Sequence, residues 1–510
     1  MTTTPTITPY RSTLGATGRD GFAQLLRAEW TKFRTVRRWV LGMAAAALVT
    51  VLISLLGAAG NHTSNNGEPV PQGPDGTVVT DSFGFAHRTL TGDGAITARV
   101  RSLTGSERYG AEPWAKAGVM IKASTKQGSA YVALMVTPGH GVRLQYDFTH
   151  DMAGSTAKLS AASPRWLRLT RAGSAFTGYE SADGEKWTRV GTVRVTGIPA
   201  AAQAGLFATT PRHEQVTRQF GGTSVTAGGR PVTAVLDRVG LTGAGEGTAG
   251  WSIGEVGQGD LNNAGVSPGS VSGGTVTVTG TGDIAPDTTG PDLVQMSLSG
   301  VSIGLLVAVA VATLFITAEY KRGMMRTTLV ASPRRGRVVA AKAVVIGAVT
   351  FVAGLVATCV AFPLAQRSLR ANGFGPYAAH MTLTHPPTLR AVVGSAALLA
   401  LAAVLALALG VVLRHSAGAI TLVAVLVVLP QILSYALPLT AGHWLLRLTP
   451  AAAFAIQQGT SSDAYPQVAH ACLPEDGCYP LSPWSGLGVL GAYAAVALAL
   501  AVWRLNRRDA

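Results

Sequence analysis

The sequence predicts an α-helical membrane protein of six transmembrane helices, with an all-β sandwich inserted between helices 1 and 2. Three observations predict it. Six apolar segments each approach or exceed the roughly 20 residues a helix needs to cross a bilayer: Trp39–Ala59, Met296–Ala318, Val339–Phe362, Ala391–Leu413, Ala417–Leu439 and Gly486–Trp503. Between the first two, residues 60–295 fall into short runs of alternating apolar and polar residues, split by Gly, Asp and Pro. The charge is divided along the same line. Residues 61–295 hold 19 basic and 19 acidic side chains, so the whole net charge of +15 belongs to the membrane part. A soluble protein would have to bury all six apolar runs in one core, and that class is excluded.

The first 38 residues form the N-terminal segment, and its second half is amphipathic. Phe22, Leu25, Leu26, Trp30 and Phe33 recur at helical spacing, with Arg27, Lys32 and Arg34 mostly on the other side. Such a helix lies in the membrane interface, its aromatics at the acyl boundary and its cations near anionic headgroups. A plain juxtamembrane anchor would look the same. The first span, residues 39–59, is too long for the apolar region of a cleaved signal peptide, about 7–15 residues, so it is read as retained.

The inserted segment reads as a sandwich. Its candidate strands include Ala95–Val100, Ala117–Lys122, Tyr131–Val136, Val142–Tyr146 and Trp166–Thr170, and Ser181–Trp187 reads as a hairpin turn in which Asp183-Gly184 supplies positive φ angles. Trp114, Tyr146 and Trp187 are candidate glycan contacts, since aromatic faces stack on sugar rings, although core packing is the commoner use of such residues. Asp147, Asp151, Glu180, Asp183 and Glu185 invite a glycosidase reading, but nothing in the sequence brings two of them together and ordinary surface charge is favoured.

The remaining spans are 296–318, 339–362, 391–413, 417–439 and 486–503. The connection 319–338 carries Lys321, Arg322, Arg326, Arg334, Arg335 and Arg337. Basic residues also cluster at Arg37 and Arg38, at Arg414, and at Arg504, Arg507 and Arg508. Each cluster abuts a span, which argues against nucleic acid as a partner. By the positive-inside bias the clusters share the cytoplasmic side. The expectation is a multi-pass protein of the cell (plasma) membrane with both termini cytoplasmic and residues 60–295 extracytoplasmic. The short apolar stretch 443–456 contains Pro450 and reads as an outward re-entrant segment. Of three cysteines, Cys359 reads as apolar filler. Cys472 and Cys478 form a disulfide or remain two free thiols; with His470 they are too few for a metal site, and none is expected.

Two stretches carry a family resemblance. Leu26-Arg-Ala-Glu-Trp30 with Lys32 and Arg34, and Glu319-Tyr-Lys-Arg-Gly323 followed by Ser332-Pro-Arg-Arg335, resemble the elbow helix and the first cytoplasmic loop of ABC-2-type transporter permeases. The resemblance covers about residues 22–60 and 294–510. It implies the permease subunit of an ATP-driven exporter, paired with a second permease chain as homodimer or heterodimer and with a separate ABC ATPase. It also implies that Glu319, Tyr320, Arg322, Arg334, Arg335, Trp30 and Lys32 form the coupling contact with that ATPase. These 510 residues contain no G-x-x-x-x-G-K-[ST] phosphate loop, so no cofactor is expected here and ATP and Mg would be bound by the partner. The insertion resembles the concanavalin-like (LamG-like) sandwich of secreted carbohydrate-active proteins. Its final stretch Ser270–Ile284 resembles the strand that usually comes first, which implies a circular permutation. The alternative function is a membrane-anchored sensor that binds envelope glycan through the sandwich.

Overall fold

A computed structural model describes residues 21–63, 70–106, 110–160, 162–219, 222–228, 230–243, 250–257, 261, 265–287, 292–331, 334–378, 381–459, 465, 468, 472–474 and 477–507. Ser332, His470 and Arg508 lie outside these residues.

Helix α1 (Phe22–Thr35) precedes α2 (Arg37–Gly60), the first span; a short α3 (Leu293–Ser297) follows the sandwich. Then come α4 (Val301–Lys321), α5 (Met324–Ala331), α6 (Arg335–Leu369), α7 (Pro386–Leu413), α8 (Ser416–Val427), α9 (Leu429–Ala436), α10 (Leu439–Leu448), a 3₁₀ segment (Pro450–Gln457) and α11 (Pro483–Arg507). Among the described residues six helical stretches are long and apolar enough to cross a membrane, with α8 and α9 counting as one span. That span breaks at Val428, because Pro430 lacks the N–H an uninterrupted helix requires. Helices α4 and α7 are the most enclosed spans, and α7 packs against α4, α6, α11 and the 3₁₀ segment. Where α2 crosses α4 the contact is made by small residues. A Cβ at Gly304 would overlap the Thr50 hydroxyl, and one at Gly300 the Thr50 carbonyl. Close backbone approach of this kind is how helices associate where lipid removes the hydrophobic drive.

Two boundaries differ from the sequence expectation. The second span begins at Val301 rather than Met296. Asp292 caps the separate α3 by accepting from Val294 N and Gln295 N, and Leu298–Gly300 interrupts the helix. The basic connection is also mostly helical. The second span runs on through Lys321, breaks at Gly323 (φ 67°), resumes as α5, and the third span begins at Arg335.

The insertion is built on two facing antiparallel sheets, with a separate two-stranded hairpin of His213–Gln219 and Gly222–Gly228. One runs Ser252–Val256, Val79–Thr91, Ala201–Thr209, Lys116–Lys122, Tyr131–Thr137, Gly141–Tyr146, His150–Ala153, with Asp283–Pro286 also paired to Val79–Thr91. The other runs Gly269–Ser272, Thr275–Gly280, Val232–Thr242, Gly94–Thr104, Arg165–Ala172, Ala175–Ser181, Thr188–Arg194. Ile96, Val119, Ile121, Leu134, Leu167 and Leu206 fill the space between the two sheets. Gly94–Thr104 and Arg165–Ala172 therefore read at period two, whereas Lys116–Lys122 and Tyr131–Thr137 are buried on both faces and carry continuous apolar runs. The first and last strands lie side by side, from Val79 opposite Pro286 to Ser82 opposite Asp283. The chain therefore enters and leaves the sandwich at one place, as an insertion between two neighbouring helices requires. In the Ser181–Trp187 turn only Gly184 has positive φ (84°). Asp183 instead accepts from the backbone N–H of Glu185 and Lys186, both at 2.8 Å, because the loop is longer than a two-residue hairpin.

Candidate functional site

The charge cluster where α1, α4 and α6 meet is the most unusual chemistry in the bundle. Lys342 stands in the second turn of α6 and is fully buried. A lone ammonium there must find partners or lose its charge. It donates to Glu29 Oε2 of α1 and to Glu319 Oε1 of α4, both at 2.7 Å. Lys32, one turn from Glu29 on α1, donates to Glu29 Oε1 at 2.9 Å and to Glu319 Oε1 at 3.4 Å. Two carboxylates and two ammonium groups thus close a neutral set across three helices. Burial works against the Lys32 charge, but Glu29 and Glu319 together outweigh it and hold its pKa above the ordinary lysine value. Glu319 Oε2 is buried with no hydrogen-bond partner. Beneath the cluster Phe315 receives Lys342 over its ring at 5.3 Å and packs against Phe33 and Trp39.

The sequence-predicted coupling residues separate into two groups. Glu319 is 5% exposed and turned into the cluster, so it offers no surface to a partner. Tyr320 is half-buried, with Arg414 over its ring at 5.4 Å. Arg335 donates to the Leu505 carbonyl of α11 at 2.5 Å. Lys32 is half-buried between cluster and surface. Arg322, Arg334 and Trp30 are exposed. Sequence pattern alone assigns no role to Glu29 or Lys342, although each carries a signal. Glu29 is the one acid on an otherwise basic helix, four residues before buried Phe33, and Lys342 is the one charge inside an apolar run.

The sandwich does not gather its candidate aromatics. Trp114 is 7% exposed and stacked under His140 at 3.8 Å. Tyr146 packs against the inter-sheet core and stacks on His150 at 4.3 Å, whereas Trp187 lies beside the other sheet with Arg168 over it at 3.9 Å. The carboxylates are separately occupied as well: Asp151 pairs with Arg143, Glu180 accepts from Ser155, and Asp183 holds its turn. Cys472 and Cys478 are disulfide-bonded, and Cys359 is exposed on α6. Among the described residues no three His, Cys, Asp or Glu side chains gather as a metal site.

Several solved structures share limited likeness with the chain. One is a functionally unknown protein from Saccharomyces cerevisiae, 14% identical, covering 32% of this chain and 74% of its own, with a TM-score of 0.21. Another is scytalido-glutamic peptidase with a transition state analog inhibitor, 12% identical, covering 39% of this chain and 98% of its own, TM-score 0.26. A third is SCP-B of the Eqolisin family of peptidases, 10% identical, with the same coverage and a TM-score of 0.23. Scores this low carry no inference about fold or activity. No curated protein matches the sequence. The profile described as ABC-2 family transporter protein matches residues 172–510, from within the sandwich to the end of the chain and well over half its length. The chain belongs to the ABC-2 transporter family.

Proposed function

We propose that the chain is the permease subunit of an ATP-driven exporter that works with a separate ATPase subunit and a second permease chain. In this reading both termini and the Lys321–Arg337 connection lie on the cytoplasmic side of the cell membrane, and residues 60–295 face outward. The single observation that carries it is the shared ion cluster. Glu29, Glu319 and Lys342 tie the elbow helix α1 to the second and third spans at the point where the exposed basic connection begins. A partner pressing on that connection or on α1 would move two spans together, because the contacts between them are short, buried and ionic. Arg322, exposed just past the end of α4, is then the coupling contact. Glu319 and Lys32 position it from within. Family membership supplies the transport role, and the lack of a phosphate loop in these 510 residues is consistent with ATP hydrolysis in another chain.

Gentle detergent purification of the tagged chain from native membranes, followed by mass spectrometry, tests the reading. An ABC ATPase is expected to accompany it. Arg322→Ala is expected to release that ATPase, and Glu319→Gln to retain it while weakening the response of ATP hydrolysis to the permease. Retention of envelope glycan or wall proteins with no ATPase would overturn the proposal in favour of an outward-facing sensor.

A further inference from the structure

A cavity of about 700 Å³ lies between α1, α2 and α6, within the range of roughly 300–1,000 Å³ typical of small-molecule sites. Leu26 and Trp30 of α1, Met43 of α2, and Val349 and Ala353 of α6 line it. The groove is open on one side, since Trp30 and Val352 at its edges are 47% and 59% exposed. Two of its walls are membrane spans, so that side meets the acyl layer rather than water.

The mouth has a different character from the throat. Arg27 is the one charged residue lining the groove, is exposed, and has no ion-pair partner among the described residues. Arg34, Arg37 and Arg38 are exposed nearby on α1 and at the start of α2. Glu29, the single acid of α1, faces the opposite way and is spent on Lys342 and Lys32. An apolar throat with a positive, acid-free rim fits an amphiphile with an alkyl chain and an anionic head.

We propose that this groove is a binding site for an anionic phospholipid, one acyl chain between α1, α2 and α6 and the headgroup on Arg27. The groove borders the ion cluster through Phe33, which lines it and packs on the Phe315 ring beneath Lys342, so a bound lipid and the cluster together fix the elbow helix.

The test uses the full chain, delipidated in detergent and titrated with phosphatidylglycerol or phosphatidylcholine of identical chains, with bound lipid counted by native mass spectrometry. Wild-type protein is expected to prefer phosphatidylglycerol by about fivefold, the contribution of one basic residue at an anionic lipid surface. Arg27→Gln is expected to abolish the preference while keeping the binding, and Val349→Trp to lower binding of both lipids. Ala44→Leu, a milder filler of the same groove, replaces Val349→Trp should that variant misfold. Equal affinity of the wild type for both lipids, or fillers that change nothing, would overturn the proposal. So would efficient cross-linking between chains carrying Val349→Cys and Cys359→Ala, which would make the groove a seam between two copies. None of these readouts involves an ATPase, so the result stands apart from the exporter proposal.

Discussion

The sandwich and the helical bundle both bury lysine ammonium groups completely, but they pair them differently. In the sandwich, one strand supplies both lysines. Lys122 donates to Asp81 at 2.7 Å and to the Ser129 carbonyl at 2.9 Å, while Lys116 pairs with Asp283 and reaches the Ile284 carbonyl at 3.3 Å. Asp81 and Asp283 stand on the adjacent first and last strands. These one-to-one ties close the domain at the point where the chain enters and leaves it. Burial pushes the Asp81 carboxyl up and the Lys122 ammonium down, with each charge partly countering the shift of the other. In the bundle, Lys342 divides one charge between carboxylates on two other helices; one buried oxygen is left unpartnered in each place, Oε2 of Glu319 and Oδ1 of Asp81. A closed pair locks two strands of one sheet. A charge shared among three helices joins elements that can shift relative to one another, since its partners can be redistributed as the helices move.

Lys342→Met breaks this comparison most severely. Removing the ammonium leaves Glu29 and Glu319 facing each other with only the part-exposed Lys32 to offset them, at an expected loss of about 3–5 kcal/mol. Thermal unfolding in detergent is expected to fall sharply, with α1 becoming protease-sensitive while the sandwich keeps its hydrogen-exchange protection. Adding Glu29→Gln and Glu319→Gln to Lys342→Met is expected to recover much of the loss. Lys122→Met belongs to the same energy class, but its damage should stay within the strands Val79–Thr91 and Tyr131–Thr137. If both variants loosen the same region, the division between a closing tie and a shared joint does not hold.

Lys32→Ala sharpens the contrast at lower amplitude. The Lys32 side chain is 42% exposed, and an ion pair that solvent reaches is worth about 1 kcal/mol at most. Thermal stability should therefore fall only slightly, with Lys342 still neutralising most of the carboxylate charge. A loss as large as that of Lys342→Met would mean that the two lysines share the burden equally.

Much of this architecture was legible in the sequence, for physical reasons that also explain what was not. The spans and strands are written in local pattern: apolar length for α2 and α7, a short continuous apolar run for Lys116–Lys122 and period two for Arg165–Ala172. The amphipathic face of α1 was equally visible. The partnership of Glu29 with Lys342 spans 313 positions, and no local periodicity encodes which side of α1 meets α6. Glu319 misled for the same reason. Beside Tyr320-Lys321-Arg322 it reads as part of a solvated polar loop, yet pairing with Lys342 lets α4 continue as a packed helix past it. The Trp114 ring, in the turn before Lys116–Lys122, and the Tyr146 ring, at a strand end, are visible in the sequence as aromatics, but the histidines that cover them come from packing.

The smallest effect concerns a tie on the sandwich surface, where acid should reveal what burial hides in the bundle. Asp237 accepts from Arg99 Nε at 2.7 Å and Nη2 at 2.6 Å, and these bonds hold its carboxyl below the ordinary carboxylate range. Asp183 is held at about 2 by the backbone N–H groups of Lys186 and Glu185. A carboxyl depressed in the folded state contributes stability that is present above its unfolded pKa, about 3.9, and is lost as pH falls through the folded value. Protection of strand Val232–Thr242 against hydrogen exchange, corrected for intrinsic rates, should therefore decline below about pH 4. Arg99→Met should reduce that protection at pH 7 by about 1 kcal/mol or less. The gap between variant and wild type should then narrow as acid removes the same interaction from the wild type. A gap that stays constant from neutral pH down through the carboxylate range would show that Arg99 contributes by packing over Trp166, 5.6 Å from its guanidinium, and that the surface tie is not electrostatic at all.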